Sequence, residues 1–271
     1  MKVMQIVLKE LKNHYKSILI YSGIMSLFFI WFVTFFDPEL FAGMEEIFEG
    51  YPEAIRQIIG EFYNLAEFGG FLNVYLFSVS FFYFGIYFIL KSAQSFPKEI
   101  EDKTIDLLLS KPLKRYELTL GKYLSLVLEI LIIFYFVMVS VLLGILIFPS
   151  ASANGIFLNE IIFAFVWNFI FMVTLISTGF FFSTFLSSKK ALAFALGMVI
   201  FFYAVGQFWK SFPEGAQELK RISIFYYSDM SNLLVNHVWD NVGLHILILL
   251  SYSVVLTTSA VIIFNKRDIP V

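Results

Sequence analysis

Six long apolar runs separated by short polar connections constrain this chain more than any other feature. They cover residues 17–36, 68–90, 123–148, 161–188, 191–209 and 241–265. A helix rises about 1.5 Å per residue, so about 20 apolar residues cross a hydrocarbon core roughly 30 Å thick. Each run meets that length. The expected fold is an all-α integral membrane protein of six transmembrane helices, forming a single domain over residues 1–271. The run 68–90 has no charged residue, and 123–148 has one acid, Glu129. Only Ser187, Ser188, Lys189 and Lys190 join the fourth and fifth spans, which predicts a tight helical hairpin.

Composition agrees with this class. Apolar residues make up 59% of the chain and charged residues 15%, and the mean hydropathy is +0.80. Soluble domains carry about 25% charged residues, so water alone cannot solvate this surface. A net charge of −2 argues against nucleic acid as a partner. The chain has no cysteine, which excludes thiol catalysis, thiolate metal sites and disulfides. The first run is too long for a signal-peptide core and no small-residue cleavage site follows it, so it reads as a retained span. The 35 Phe residues read as lipid-facing and helix-packing side chains.

Charge asymmetry orients the spans. Fifteen Lys and Arg residues fall on the N-terminal segment, the 91–122 and 187–190 connections and the C-terminal tail, against four on the alternate connections. The basic side is cytoplasmic, so both termini are expected to face in. Residues 1–16 read as an interfacial amphipathic helix, with Met4, Val7, Leu8, Leu11 and Tyr15 on one face and Lys2, Gln5, Lys9, Lys12 and Lys16 on the other. Outside, residues 37–67 hold eight acids and only Arg56 as a base. Ile55, Ile58, Ile59 and Phe62 suggest a solvated surface helix there. Residues 210–240 are too apolar for a solvated loop and too short to cross and return, which predicts that they pack back on the bundle or the outer leaflet.

The connection 91–122 alone carries seven of the 19 basic residues. Within it, Ile100, Thr104, Ile105, Leu108 and Leu109 share one helical face and Pro112 closes the run, predicting an amphipathic helix over about 99–111. Glu99 and Lys103 stand in the favoured order for an i,i+4 ion pair. A cytoplasmic helix with an unpartnered apolar face is suited to docking another protein.

The block EIEDKTIDLLLSKPLKRYELTLGK resembles the cytoplasmic loop between spans two and three of type-2 exporter permeases of the ABC transporter class. The matching positions are Glu99, Glu101, Thr104, Leu108, Leu109, Ser110, Pro112, Arg115, Gly121 and Lys122. Lys103 stands where the family often has glycine, a change expected to leave the helix better formed. The basic N-terminal helix, the first outer loop ending in FGGFL and the tail FNKRDIP extend the likeness along the chain. The resemblance implies a permease dimer, homomeric or with a related permease, that docks two cytoplasmic ABC ATPase subunits. It makes Glu99, Glu101, Thr104, Ile105, Leu108, Leu109, Ser110, Pro112 and Arg115 the ATPase-docking residues. Segment 96–122 would be the coupling element, and export the direction of transport. ATP and magnesium would then bind on the partner. The only Gly-Lys pair here, Gly121–Lys122, has Tyr116 in place of the first phosphate-loop glycine and Tyr123 where Ser or Thr should follow.

Enzyme chemistry has little to build on. His14, His237 and His245 lie in separate segments, no span holds an Asp, and there is no nucleophile elbow. No cofactor or metal site is expected in this chain. Glu129, inside a span, is the leading candidate for a transport-pathway contact; its alternatives are a local bond to Lys122 or Ser125, or a protonated carboxyl against a neighbouring helix. Asn73, Asn168 and His245 are further candidates, with interhelical bonding as their alternative. The rival functional reading is an ATP-independent channel or assembly scaffold.

Overall fold

The computed structural model describes residues 2–52, 65–104, 113–148 and 157–267. Among the described residues all regular structure is helical, and six helices are long and apolar enough to cross a membrane. The first is continuous from Lys2 to Val33. The N-terminal amphipathic segment is therefore helical, as its pattern requires, but runs without a break into the first span. No proline interrupts these residues, so nothing in the backbone separates the two parts. Met4, Leu8 and Tyr15 stay exposed while Ile6 and Val7 are buried.

What buries them is the third span, Arg115–Ile147. A Cβ on Gly121 would lie 2.7 Å from Ile6, and one on Gly144 would lie 3.1 Å from Val33. The first and third spans thus run side by side in the same direction, held close at both ends where glycine leaves room. The fourth span, Leu158–Ser183, is the most enclosed, and from Thr174 to Phe180 every residue is buried. At Gly179 it approaches the second span so closely that a Cβ would collide with Ser92 Oγ and lie 2.8 Å from the Ile89 carbonyl oxygen. A seam of hydroxyls joins the third, fourth and sixth spans: Tyr123 with Ser177 at 2.9 Å, Thr178 with Tyr252 at 3.1 Å, and Ser253 with Thr174 at 3.2 Å. The fifth and sixth spans, Ser188–Phe208 and Val242–Lys266, leave Phe194, Ile200, Phe201, Leu247, Val254 and Val255 exposed, as lipid-facing helices do. The fourth and fifth form the expected hairpin.

The second span is not the single regular helix that its charge-free run suggests. It is α-helical over Phe68–Leu72, π-helical over Asn73–Phe77, turns, is π-helical again over Phe81–Gly85, and regains α geometry over Ile86–Ala93.

Alternate connections share an end of the bundle. At one end, Glu10, Glu99, Lys122, Glu101, Ser188, Arg115 and Arg267 meet through hydrogen bonds and ion pairs, so both chain ends lie there. At the other, His237 bonds Glu160 at 2.7 Å and approaches Glu67 at 3.8 Å. The 210–240 segment packs back onto this second end. Ile224, Phe225, Met230, Leu233 and Leu234 are buried, Ser223 Oγ bonds the Phe202 carbonyl, and Trp167 Nε1 donates to the Tyr227 carbonyl at 3.0 Å. A helix over Pro38–Glu49 opens the acidic segment; Ile55, Ile58, Ile59 and Phe62 lie outside the described residues.

Candidate functional site

The polar connection between the second and third spans starts from an aromatic anchor. Phe96 is fully buried, stacked on Phe264 of the sixth span at 4.0 Å between centroids and tilted against Phe180 of the fourth at 5.5 Å. Pro97 follows at the first helical position, where its missing N–H is harmless. The helix that begins here ends at Glu101. Lys103 takes φ 54°, its N–H bonds the Ile100 carbonyl at 3.2 Å, and the Thr104 N–H reaches back to the Glu99 carbonyl at 2.9 Å. These two bonds around a left-handed residue are a Schellman stop.

Two expectations are corrected by this stop. A continuous helix over 99–111 does not form, because the chain leaves helical geometry at Asp102–Thr104. Lys103 does not improve the helix either; it occupies the left-handed position at which glycine is least strained. Glu99, with the backbone turning away behind it, pairs with Lys122 at 2.6 Å instead of with Lys103. Ile105, Leu108, Leu109, Ser110 and Pro112 lie outside the described residues.

The short helix is tethered, directly or through one intermediate residue, to five neighbouring spans. Lys122 lies almost wholly buried between Glu99 and Glu10, the latter at 3.4 Å, and so joins the connection to the third and first spans. Glu101 Oε1 accepts the Ser188 N–H at 3.1 Å, capping the first turn of the fifth span. Its negative charge also suits that helix terminus. Phe96 supplies the tie to the fourth and sixth. On the far side of the connection Arg115 donates to the Arg267 carbonyl, and Arg267 donates to the Thr184 carbonyl at 2.8 Å. Burial lowers the Arg267 pKa from its ordinary value. Thr104 is exposed, with its hydroxyl 3.3 Å from the Glu99 carbonyl. Any displacement of this helix therefore pulls on spans one, three, four, five and six together.

A family model described as ABC-2 family transporter protein matches residues 4–269, nearly the whole chain. The chain belongs to that family. It is a multi-pass plasma-membrane permease of an ABC transporter, and the family implies an ABC ATPase partner. Among curated proteins, none matches the chain.

In this permease the four candidate pathway residues do not form one cluster. Glu129 is buried and bonded to Lys91, at the C-terminal end of the second span, at 2.5 Å and 2.6 Å, with the Tyr87 hydroxyl at 3.4 Å. Its partner is thus neither Lys122 nor Ser125. Asn73 sits in the first π-helical turn. Asn168 of the fourth span meets Ser80 at 3.0 Å. His245 lies among the rings of Trp167, Tyr226 and Tyr227, with its Nδ1 buried and unbonded. Glu10 and Lys91 carry part of the electrostatics of the site without a sequence motif to mark them, while Lys122 and Ser188 stand out in sequence only as a family match and as part of a turn. The available signal was position: Lys91 is the first charge after the second apolar run and Lys122 the last before the third.

Proposed function

We propose that this permease forms the substrate pathway of an ATP-driven exporter as a dimer. Its drive comes from two separate cytoplasmic ATPase subunits docked on segment 96–122, with ATP and magnesium held on those partners. The observation that carries this reading is the tethering of Pro97–Glu101. A surface helix bonded to the third and fifth spans, linked to the first through Lys122, and anchored by Phe96 against the fourth and sixth is built to pass a partner's push into the bundle. Two discrete packings of such rigid elements, one favoured by a docked partner, make a switch.

Leu108 tests the docking. Leu108→Asp places a charge on the apolar side of the segment, and an unpaired charge in a buried interface is worth several kcal/mol, enough to weaken docking about a hundredfold or more. The variant should insert normally and lose both the co-purifying ATPase and nucleotide-dependent transport. Retention of a full complement of ATPase would remove the docking role and favour a channel or scaffold.

A further inference from the structure

Between Asn73 and Gly85 the second span leaves α geometry twice. The Ser78 N–H bonds five residues back to Asn73 at 2.8 Å, and the Ile86 N–H likewise bonds to Phe81. Between them, the Phe82 N–H reaches only three residues back, to Val79 at 2.9 Å. A wide turn, a tight turn and a wide turn thus follow one another in a membrane helix that contains no proline. Such departures from the regular ladder recur at functional positions in helices. Both flanks are firmly packed. Outside the break, Phe68 and Phe71 are buried against Phe36; inside it, Ile89 and Ser92 lie against Gly179. The irregularity is confined between two rigid halves, and the residues at its centre, Ser78, Val79 and Ser80, are small.

Among the described residues, two hydrogen bonds tie the irregular stretch to other spans: the Tyr21 hydroxyl of the first span donates to the Tyr83 carbonyl, and Ser80 meets Asn168 of the fourth. Ser80 Oγ lies 2.7 Å from the Phe77 carbonyl and 3.0 Å from Asn168 Oδ1. A hydroxyl has a single proton and cannot donate to both. Turning the Asn168 carboxamide over makes Nδ2 the donor to Ser80 and frees the serine proton for Phe77. In either orientation one end of the amide has no partner, as Nδ2 has none here, although Asn168 is 1% exposed. A buried polar group left unpaired destabilises the conformation that contains it.

We propose that Ser78–Ser80 is a hinge in the second span, latched in this conformation by Ser80 and Asn168. The unpaired end of the Asn168 amide is taken up by a backbone group released when the hinge moves. The inner half of the span continues into Phe96 and Pro97–Glu101, so the hinge lets that half swing while Phe68–Phe77 stays fixed to the outer end. This assignment does not depend on which protein docks at 96–122.

Hydrogen–deuterium exchange of the full-length permease in lipid nanodiscs, without any ATPase, tests it. The peptide spanning 78–82 should exchange faster than those spanning 86–90 and 171–178. Asn168→Leu and Ser80→Ala should each speed that exchange about fivefold, the equilibrium change that one net hydrogen bond is worth. The double variant should show no further gain, because both changes remove the same bond, while 171–178 stays protected as the check on folding. If 78–82 is as protected as 86–90 in the wild type, there is no hinge. Single variants that leave the exchange unchanged, or that add in the double, remove the latch. Should Asn168→Leu fail to insert, Ser80→Ala against Ser80→Thr carries the comparison: the threonine, which keeps the hydroxyl, should retain wild-type exchange, and equal acceleration in both would overturn the latch.

Discussion

The Lys91 ammonium sits 2.5 Å and 2.6 Å from the two carboxylate oxygens of Glu129, clamping the second span to the third. The Glu129 side chain is 3% exposed and that of Lys91 17%, so neither charge is solvated enough to stand alone. This pairing explains how a single acid is tolerated in an otherwise apolar span. It also gives Glu129 a structural role as a clamp between helices.

Breaking the clamp from one side should be worse than removing it. Glu129→Gln leaves Lys91 buried without its counter-charge and should lower stability by about 3 kcal/mol, the lower end for a broken buried pair. The double variant Lys91→Met with Glu129→Leu should recover most of that loss. Thermal unfolding of the three proteins in the same detergent measures it. A double variant no more stable than the single would show that Lys91 is not what holds Glu129.

Lys103 offers a stabilising change. A side chain held at φ 54° carries a left-handed penalty of roughly 1–2 kcal/mol that glycine escapes. Lys103→Gly should therefore raise the stability of the connection between the second and third spans by up to about 1 kcal/mol, after allowing for glycine's greater freedom in the unfolded chain. Lys103→Val should lower it, because β-branched residues fit this region worst. Limited proteolysis at 102–104 reads the local effect, and identical cleavage rates for the glycine and valine variants would contradict the Schellman stop.

Gly121 sets the spacing of the first and third spans. A methyl group there would meet Ile6 at 2.7 Å, so Gly121→Ala should cost about 1–3 kcal/mol as overpacking. Shortening the opposing residue should relieve it. Gly121→Ala combined with Ile6→Ala should melt closer to the wild type than Gly121→Ala alone, and simple additivity of the two losses would show that the helices are not in contact there.

The orientation is testable because the chain has no cysteine of its own. Single cysteines at the exposed positions Asp102 and Gly215 lie at opposite ends of the bundle. In intact cells an impermeant thiol reagent should label the Gly215 position and leave the Asp102 position until the membrane is opened. Labelling of both in intact cells would overturn the positive-inside assignment.

How much was legible follows from the range of the interactions. The six spans, the hairpin of the fourth and fifth (read with its turn at 187–190) and the shared end at which the first helix starts and the last one stops were readable, because each depends on the local density of apolar and basic residues. That this connection holds a helix was readable, but not its bounds: the pattern placed it over 99–111, whereas the described helix covers Pro97–Glu101 and stops at Lys103. An apolar face continuing through Ile105 and Leu108 outweighs, on paper, a backbone conformation that only the surrounding fold imposes. Likewise the i,i+4 spacing made Lys103 the obvious partner of Glu99, whereas Lys122 wins by being buried beside it.

By itself, then, the sequence determined that this chain is a six-span membrane protein with a basic, interaction-prone connection after its second span, since the transfer of about 20 apolar residues from water to lipid needs no knowledge of neighbours. The tertiary structure alone decided which charges pair, where the second span breaks at Ser78–Ser80, and that the first helix lies along the third through Ile6 and Gly121. These depend on residues distant in the chain being brought within a few ångströms, and inside a bilayer a lone charge or a loose amide has no water to turn to, so packing dictates the partner.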